Sequence, residues 1–454
     1  MSANGQPAIR DQPIRDQSTV AAWGRTSLPG REIASEDLEG LTRDVSLSRG
    51  LGRSYGDSSL PANGGAVASS RLADRILEFN DETGVLRAEA GLSLREMNRI
   101  FPRRGFASPT LPGTQLITLG GMVASDVHDK GHHVNGTFGR HVERLRMRLA
   151  SGEIVECSRE ERSDLFLATL GGMGLTGHIL EVTVRLQKVP SPWIWCESER
   201  IPHLDAYLDA MAEAAKTWPM TVGWIDCLTQ GRSMGRGILM KGRWAEASEA
   251  PSKPPAPKFP LAVPIDFPGW ALSPLTVRMF NFAYYWKHFQ KEKQGIVHPD
   301  SFFHPLDMIH DWNRIYGRQG FTQHQSVIPR EAGVEAVRSF LKLLTELGIA
   351  SFLCVIKDCG DEGDGLLSFP MPGTSIALDI PIRPKTAAAV AKLNEAVIAA
   401  GGRVYLTKDT FTTREHFEAM EPRLEKWLAV KQEYDPEGKI RSAQSDRLFG
   451  DFNR

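Results

Sequence analysis

At 454 residues, with 41% hydrophobic and 24% charged residues, the chain has material for two or three globular units of roughly 100 to 200 residues each and is neither disordered nor fibrous in composition. A formal net charge of −1 and the lack of a long Lys/Arg run argue against a nucleic-acid partner. Cys157, Cys196, Cys227, Cys354 and Cys359 are scattered with no C-x-x-C spacing, which points to reduced structural thiols and to no metal centre. The polar start M-S-A-N-G-Q-P lacks the apolar core of a signal peptide, and no run approaches the ~20 apolar residues of a membrane span. A cytoplasmic protein is expected, with any membrane contact peripheral and on the inner face.

In chain order, residues 1–20 read as a flexible polar tail carrying the duplication Ile9 to Gln17. Gly84 to Glu89 reads as a strand, Ser93 to Phe101 as a helix and Asp164 to Leu170 as another. Leu180 to Leu186 alternates apolar and polar residues as a half-buried strand does. Val189-Pro190-Ser191-Pro192 then breaks the pattern, so a first domain is placed at 21–190 and a second at 191–402. In the second, helix is expected over His203 to Thr217, Glu331 to Leu347 and Lys385 to Ala400, and strand over Thr221 to Cys227, Gly235 to Lys241, Ala350 to Lys357 and Ser375 to Pro381. Its Pro-rich segment, 245–275, cannot continue a helix or a central strand and reads as a mobile loop, either a cover for something apolar or a plain packed loop. Residues 403–454 form a C-terminal segment that opens with the strand-like Arg403 to Thr407.

Three glycine-rich segments carry the chemistry. Gly172, Gly174 and Gly177 spell G-x-G-x-x-G, but with a helix before and a strand after, the reverse of a dinucleotide-binding fingerprint. The nine residues Arg49 to Asp57 hold three glycines, two arginines and a serine, a turn rich in amide donors that suits a pyrophosphate. Leu111 to Gly121 offers further glycine amides and hydroxyls. Tight turns in a β-rich domain are the plain alternative for both.

The order R-G-x-G-R-S-Y-G-D, L-P-G-T-x-x-x-T-x-G-G, V-H-D-K-G-H-H and G-G-x-G-L-T-G resembles the vanillyl-alcohol-oxidase, or PCMH-type, FAD-binding family. Later segments, among them Trp224-Ile225-Asp226, Gly320 to Gln325, Ser368 to Gly373 and Tyr405 to Asp409, resemble its decaprenylphosphoryl-β-D-ribose 2′-oxidase branch. The resemblance runs from about Trp23 to Phe449. It implies an α+β protein: a two-subdomain FAD-binding domain plus a substrate domain whose antiparallel sheet is flanked by helices.

It also implies roles. As FAD contacts it carries over Ser48 to Ser58, with Gly50, Gly52, Arg53, Ser54, Tyr55, Gly56 and Asp57 central, then Gly113, Thr118, Gly120, Gly121, Ser125, His128, Ile179 and Tyr405. Many relatives hold FAD covalently through a histidine in G-H-S; Arg53 stands there, so FAD is expected to be non-covalent. Lys408, His128 and Tyr55 are the catalytic candidates. Lys408 could take up a hydroxyl proton, stabilise negative charge on reduced flavin or meet a phosphate, and a solvated turn lysine is the plain alternative. Trp224, Gln323, Gln325, Lys357 and Ser375 are expected to line the substrate pocket, with ordinary packing and strand hydrogen bonding the alternative for Trp224 and the glutamines. His128, His132 and His133 lack the partners of a metal site.

The activity implied is FAD-dependent oxidation of the 2′-hydroxyl of a polyprenyl-phosphoryl pentose to a ketone, the first half of an epimerisation to the arabinose form for cell-envelope polysaccharide, completed by a separate short-chain keto-reductase. A soluble alditol or aldonolactone oxidase is the rival, and a flavin-binding protein without turnover a third reading. Ser375 and His324 replace an asparagine and a tyrosine of the family pattern, and Ala377 replaces a cysteine known as the covalent target of nitroaromatic inhibitors. A pocket for a different sugar or lipid would follow.

Overall fold

The computed structural model describes residues 19–256 and 261–450. The duplication Ile9 to Gln17 and Phe259 lie outside them. Thr19 and Val20, assigned above to the tail, already pair with Pro29 and Leu28 as strand.

The first half builds two sheets. Ala66–Ser69 sits between Arg31–Ala34 and Ser48–Arg49 in a three-stranded parallel sheet, so the strand before the Arg49 turn is held at an edge. A five-stranded antiparallel sheet runs in the order Ile154–Ser158, Val142–Arg148, His178–Arg185, Val85–Glu89, Ile76–Phe79. The alternation read in the sequence works here: Val182 and Val184 are fully buried while Arg185 faces water. Helices Leu94–Ile100, Leu119–Ala124 and Ser163–Thr169 cover it, placing Leu94, Met97, Leu119, Met122, Leu165 and Phe166 in one core. The Gly172 to Gly177 turn joins the Ser163–Thr169 helix to the His178–Arg185 strand, so it cannot offer a helix N-terminus to a dinucleotide.

After Lys188 the chain enters an eight-stranded antiparallel sheet, in the order Glu292–Val297, Ile194–Ile201, Gly237–Trp244, Met220–Ile225, Cys354–Cys359, Gly373–Pro381, Phe321–Pro329, Arg403–Val404. Helices Leu204–Ala215, Gly333–Glu346 and Thr386–Ala399 close one face, where Tyr207, Phe340 and Leu393 pack on Ile356, Ile376 and Leu378. The protein is thus mixed α+β, as expected. Two strands are shorter than the sequence suggests. Ala350 to Leu353 stays outside the ladder, its carbonyls at Ser351, Phe352 and Leu353 taking side-chain hydrogen bonds from Cys227, Trp224 and Ser351. Arg403 to Thr407 is strand only to Val404, because Lys408 N–H turns back to the Tyr405 carbonyl at 2.9 Å.

The Pro-rich region is more structured than a loop. Leu261–Ala262 pairs with Ile309–His310, Gly269–Leu272 makes a 3-10 turn, and Pro274–Lys287 is a 14-residue helix. Ser273 caps that helix by accepting from Thr276 N–H, with Pro274 at its first position, a start signal hidden among the other prolines. Among the described residues no helix is long and apolar enough to cross a membrane.

Candidate active site

The Arg49 to Asp57 turn is held at its base and open at its tip. Arg49 is fixed by Glu32, Ser59 and the Ala21 carbonyl, and Tyr55 N–H donates to Thr407 O at 2.9 Å. Between these anchors, among the described residues, no backbone hydrogen bond takes up the N–H groups of Gly50 to Ser54. Buried Arg53 Nε, Ser58 Oγ and Ser69 Oγ also lack a partner. Buried donors are almost always paired, so this cluster fits a polyanionic ligand and suits the pyrophosphate of FAD. The Arg53 guanidinium lies 4.2 Å from the centre of the Trp23 ring.

The second segment works differently. Leu119, Gly120 and Gly121 spend their N–H groups on Leu92 O, Ala90 O and Thr118 Oγ1, so the glycines here serve close approach and are not free donors. A Cβ on Gly50 would lie 2.4 Å from Thr118 Oγ1, and one on Gly120 3.1 Å from that of Ala90. Gly113 has open space around it. Asp57 is spent on Arg447 at 2.7 Å, which also pairs with Asp409 at 2.8 Å and so ties the turn to the C-terminal helix Ala443–Phe449.

Asp126 carries the chain out of the Leu119–Ala124 helix with φ +37°, in the left-handed region that Asp tolerates better than most. Its buried carboxylate accepts from Gly139 N–H at 2.7 Å and contacts Ser368 Oγ. This turn delivers Ser125 and His128. Ser125 O accepts from the Tyr405 hydroxyl at 2.9 Å, and the Tyr405 ring lies 5.2 Å from that of His128. Ile179 is buried in the central strand of the five-stranded sheet.

The open face of the eight-stranded sheet meets this loop. Residues directly opposite in an antiparallel ladder share a face, and the registers Trp224↔Val355, Val355↔Ala377 and Ala377↔Gln325 line up one row across four strands. Lys357↔Ser375 and Asp379↔Gln323 lie on the same face. The five substrate candidates therefore share one surface. Lys357 Nζ donates to Asp129 O at 2.8 Å and contacts His128 Nδ1. The Gln325 amide is 3.2 Å from His128 Nε2 and 3.4 Å from Ser375 Oγ. An ammonium only donates, so Nδ1 accepts, the imidazole proton sits on Nε2, and the amide presents its oxygen to it. Burial, then the charges of Lys357, His132 and Lys408, hold the His128 pKa well below its usual value, so the ring is neutral. His132 Nδ1 accepts from Gly360 N–H at 3.1 Å.

Trp224 is buried at this row's outer end, its Nε1 bonded to Phe352 O at 2.9 Å. His324, read above as a pocket substitution, lies on the other face of its strand. It bonds Asn394 Oδ1 at 3.0 Å beside Phe340, away from the face that carries Lys357 and Ser375.

Lys408 Nζ lies 4.0 Å over the ring of Tyr55. Burial brings its pKa down to about 8, opposed by the charge of Asp379. The sequence reading missed Asp379. It is fully buried, accepts from Tyr316 Oη at 2.7 Å and Gln323 Nε2 at 2.6 Å, and burial raises its pKa to about 6. The alternation Ser375-x-Ala377-x-Asp379 carried that signal. Burial, then Asp379, pushes the Tyr55 phenol well above its usual pKa, so it remains a neutral donor.

Residues 43–158 match the FAD binding domain family. Over 94% of this chain and 97% of the relative, the sequence is 33% identical to decaprenylphosphoryl-beta-D-ribose oxidase of Mycolicibacterium smegmatis. The chain belongs to the decaprenylphosphoryl-β-D-ribose oxidase family. L-gulonolactone oxidase of Bos taurus is 22% identical over 94% of this chain and 97% of its own length. A putative D-arabinono-1,4-lactone oxidase of Neurospora crassa is 28% identical over 35% of the chain and 30% of its own length. This member of the family is an FAD-dependent oxidoreductase acting on CH–OH groups.

Proposed function

We propose that the enzyme oxidises the 2′-hydroxyl of a polyprenyl-phosphoryl pentose to the 2′-ketone. The observation that carries this reading is the single sheet face on which Trp224, Lys357, Ser375, Gln323 and Gln325 line up opposite His128 and Tyr405. It combines a cation, an amide pair and an aromatic ring, as a phosphorylated sugar requires.

FAD, when bound, supplies the acceptor for the hydride that leaves the carbinol carbon; Gly50 to Ser58 and the turn Ser125 to His128 would hold it. Held non-covalently beside Arg53, it would be dissociable. Lys408 takes the hydroxyl proton as its free amine, which a pKa near 8 makes available at neutral pH. Tyr55 and Asp379 position that amine. Neutral His128, with its Nε2 proton on Gln325, fixes the amide, and Lys357 keeps a third N–H for a substrate oxygen. The ketone would pass to a separate short-chain reductase, completing an epimerisation for cell-envelope polysaccharide, and a substrate of this kind would keep the enzyme at the inner membrane surface.

Anaerobic titration of the yellow protein tests the assignment. Bleaching of the flavin by polyprenyl-phosphoryl ribose supports it. Bleaching by free polyols or aldonolactones alone would transfer it to the soluble sugar oxidases, and bleaching by neither would leave a binding protein.

A further inference from the structure

Ten large apolar side chains between Leu261 and Phe289 are exposed, among them Phe289 at 81%, Trp270 at 73% and Met279 at 65%; six others are scattered over the remaining described residues. Isolated exposed apolar residues are ordinary, but a contiguous group marks an interaction surface. The group is built on a firm mount. On the Pro274–Lys287 helix, Val277, Asn281 and Tyr285 form the buried stripe. Asn281 Nδ2 bonds Asp226 Oδ1 at 2.9 Å and Tyr285 Oη reaches Ile201 O at 3.3 Å. The opposite side carries Leu275, Met279, Phe282 and Trp286 into solvent.

Charge selects the partner. From Phe267 to Lys291 there is no Asp or Glu, while Arg278, Lys287 and Lys291 are basic, in a chain whose net charge is −1. Asp266, the one acidic residue within 261–289, is neutralised by Arg25 at 2.8 Å and Arg314 at 3.1 Å, so aromatic and aliphatic side chains with basic residues beside them form the pattern of a helix lying in a bilayer interface, where the rings enter the headgroup boundary and the cations meet anionic lipid. A protein partner would call for more polar pairing than this face offers. The surface also joins the pocket: Tyr284 packs on Trp224 with ring centres 4.7 Å apart, and Trp224 ends the row that leads to Gln325 and His128.

We propose that the 261–289 surface, centred on the Pro274–Lys287 helix, is a membrane-docking element that seats the enzyme on an anionic bilayer with the Trp224 end of the pocket at the lipid. Its purpose rests on the lipid-linked substrate proposed above, but docking itself can be read without any substrate.

The test is sedimentation of the full-length flavoprotein with vesicles of phosphatidylcholine alone or mixed with phosphatidylglycerol. Binding to the mixed vesicles is expected, weakened by salt and at least tenfold stronger than to phosphatidylcholine. The triple variant M279S/F282S/F289S is expected to lose at least tenfold in partition, as is the charge variant R278E/K287E, with the melting temperature and turnover of a short-chain, water-soluble substrate unchanged. Equal partition of these variants, or no vesicle binding by the parent, would overturn the proposal. So would a concentration-dependent dimer that the same substitutions dissolve in the absence of vesicle binding. Vesicle binding with no turnover of polyprenyl substrate would sink the activity assignment and leave docking standing.

Discussion

The Lys357 ammonium rests against Nδ1 of His128 while holding the Asp129 carbonyl at 2.8 Å. One cation thereby joins the strand Cys354–Cys359 to the loop that carries His128 and Asp129, and it fixes the tautomer of a histidine whose other ring nitrogen faces the Gln325 amide.

Removal of that cation has a signed consequence. Lys357 is, after burial, the largest cause depressing the His128 pKa, so Lys357→Met raises it. In a protein with labelled imidazoles, nitrogen NMR titration is expected to show His128 protonating at a higher pH than in the parent. An unchanged His128 titration would mean that burial alone sets its pKa.

The pH dependence of turnover follows from Lys408. With its pKa brought down to about 8, kcat/KM is expected to rise about tenfold per pH unit below that value and to level off above it, the free amine being the proposed working form. A fall above pH 8 would instead assign the work to the ammonium. Asp379 favours the charged form, so Asp379→Asn moves the midpoint to lower pH. Lys408→Met is expected to retain FAD and lose on the order of 10² to 10⁴ in kcat.

Much of this was legible in the chain, and the failures share a cause. The glycine turns, the Leu180 to Leu186 alternation and the long helices depend on local signals, and they lie where the sequence puts them. What the sequence withheld is which side of a strand faces the pocket. Gln323, His324 and Gln325 are consecutive, yet the ladder sends the histidine to the helix-covered face and both glutamines to the open one. Asp379 shares its face with Ser375 and Ala377, but only the fold shows that Tyr316 and Gln323 converge on it. The Pro274–Lys287 helix was passed over because apolar residues on both its sides leave no clean periodicity.

Gly56 is a steric junction between the cofactor turn and the lysine loop. A Cβ there would lie 1.8 Å from the Asp409 carbonyl oxygen, on backbone that cannot step aside. Gly56→Ala is expected to destabilise the protein by roughly 1 to 3 kcal/mol and to displace Lys408 as well, lowering kcat in the molecules that still bind flavin. Thermal melting and turnover per bound flavin check both parts; a variant normal in each would show that the two loops are free to separate.

On the proposed reading, Arg53 helps to hold a non-covalent FAD. Its buried Nε lacks a protein partner, and a charge-assisted hydrogen bond contributes about 1.5 to 3 kcal/mol. Arg53→Ala should therefore weaken FAD binding by roughly ten- to a hundredfold, measured by fluorescence on flavin release. Acid precipitation of the parent should leave its yellow colour in the supernatant; colour in the pellet would mean a covalent bond formed elsewhere.

Ala377 stands between Val355 and Gln325 in the row of the open sheet face, one strand from Lys357 and next to Ser375 in the direction of His128. On the neighbouring strand Cys354 lies on the helix-covered face and Cys359 at the far end of the face that carries Lys357, both buried; the hydrogen bond with Cys227 and then burial raise the Cys354 pKa, and burial raises that of Cys359, which keeps both protonated and poor nucleophiles. A nitroaromatic compound that reacts with a pocket cysteine should therefore leave the parent unmodified during turnover. Ala377→Cys places a thiol on the pocket face, where the charges of Lys357 and Lys408 favour the thiolate. Intact-protein mass spectrometry after turnover should then show one adduct that Ser does not reproduce in Ala377→Ser. Labelling of the parent, or none in Ala377→Cys, would place residue 377 away from the reacting centre and undo the alignment of this sheet face with the flavin.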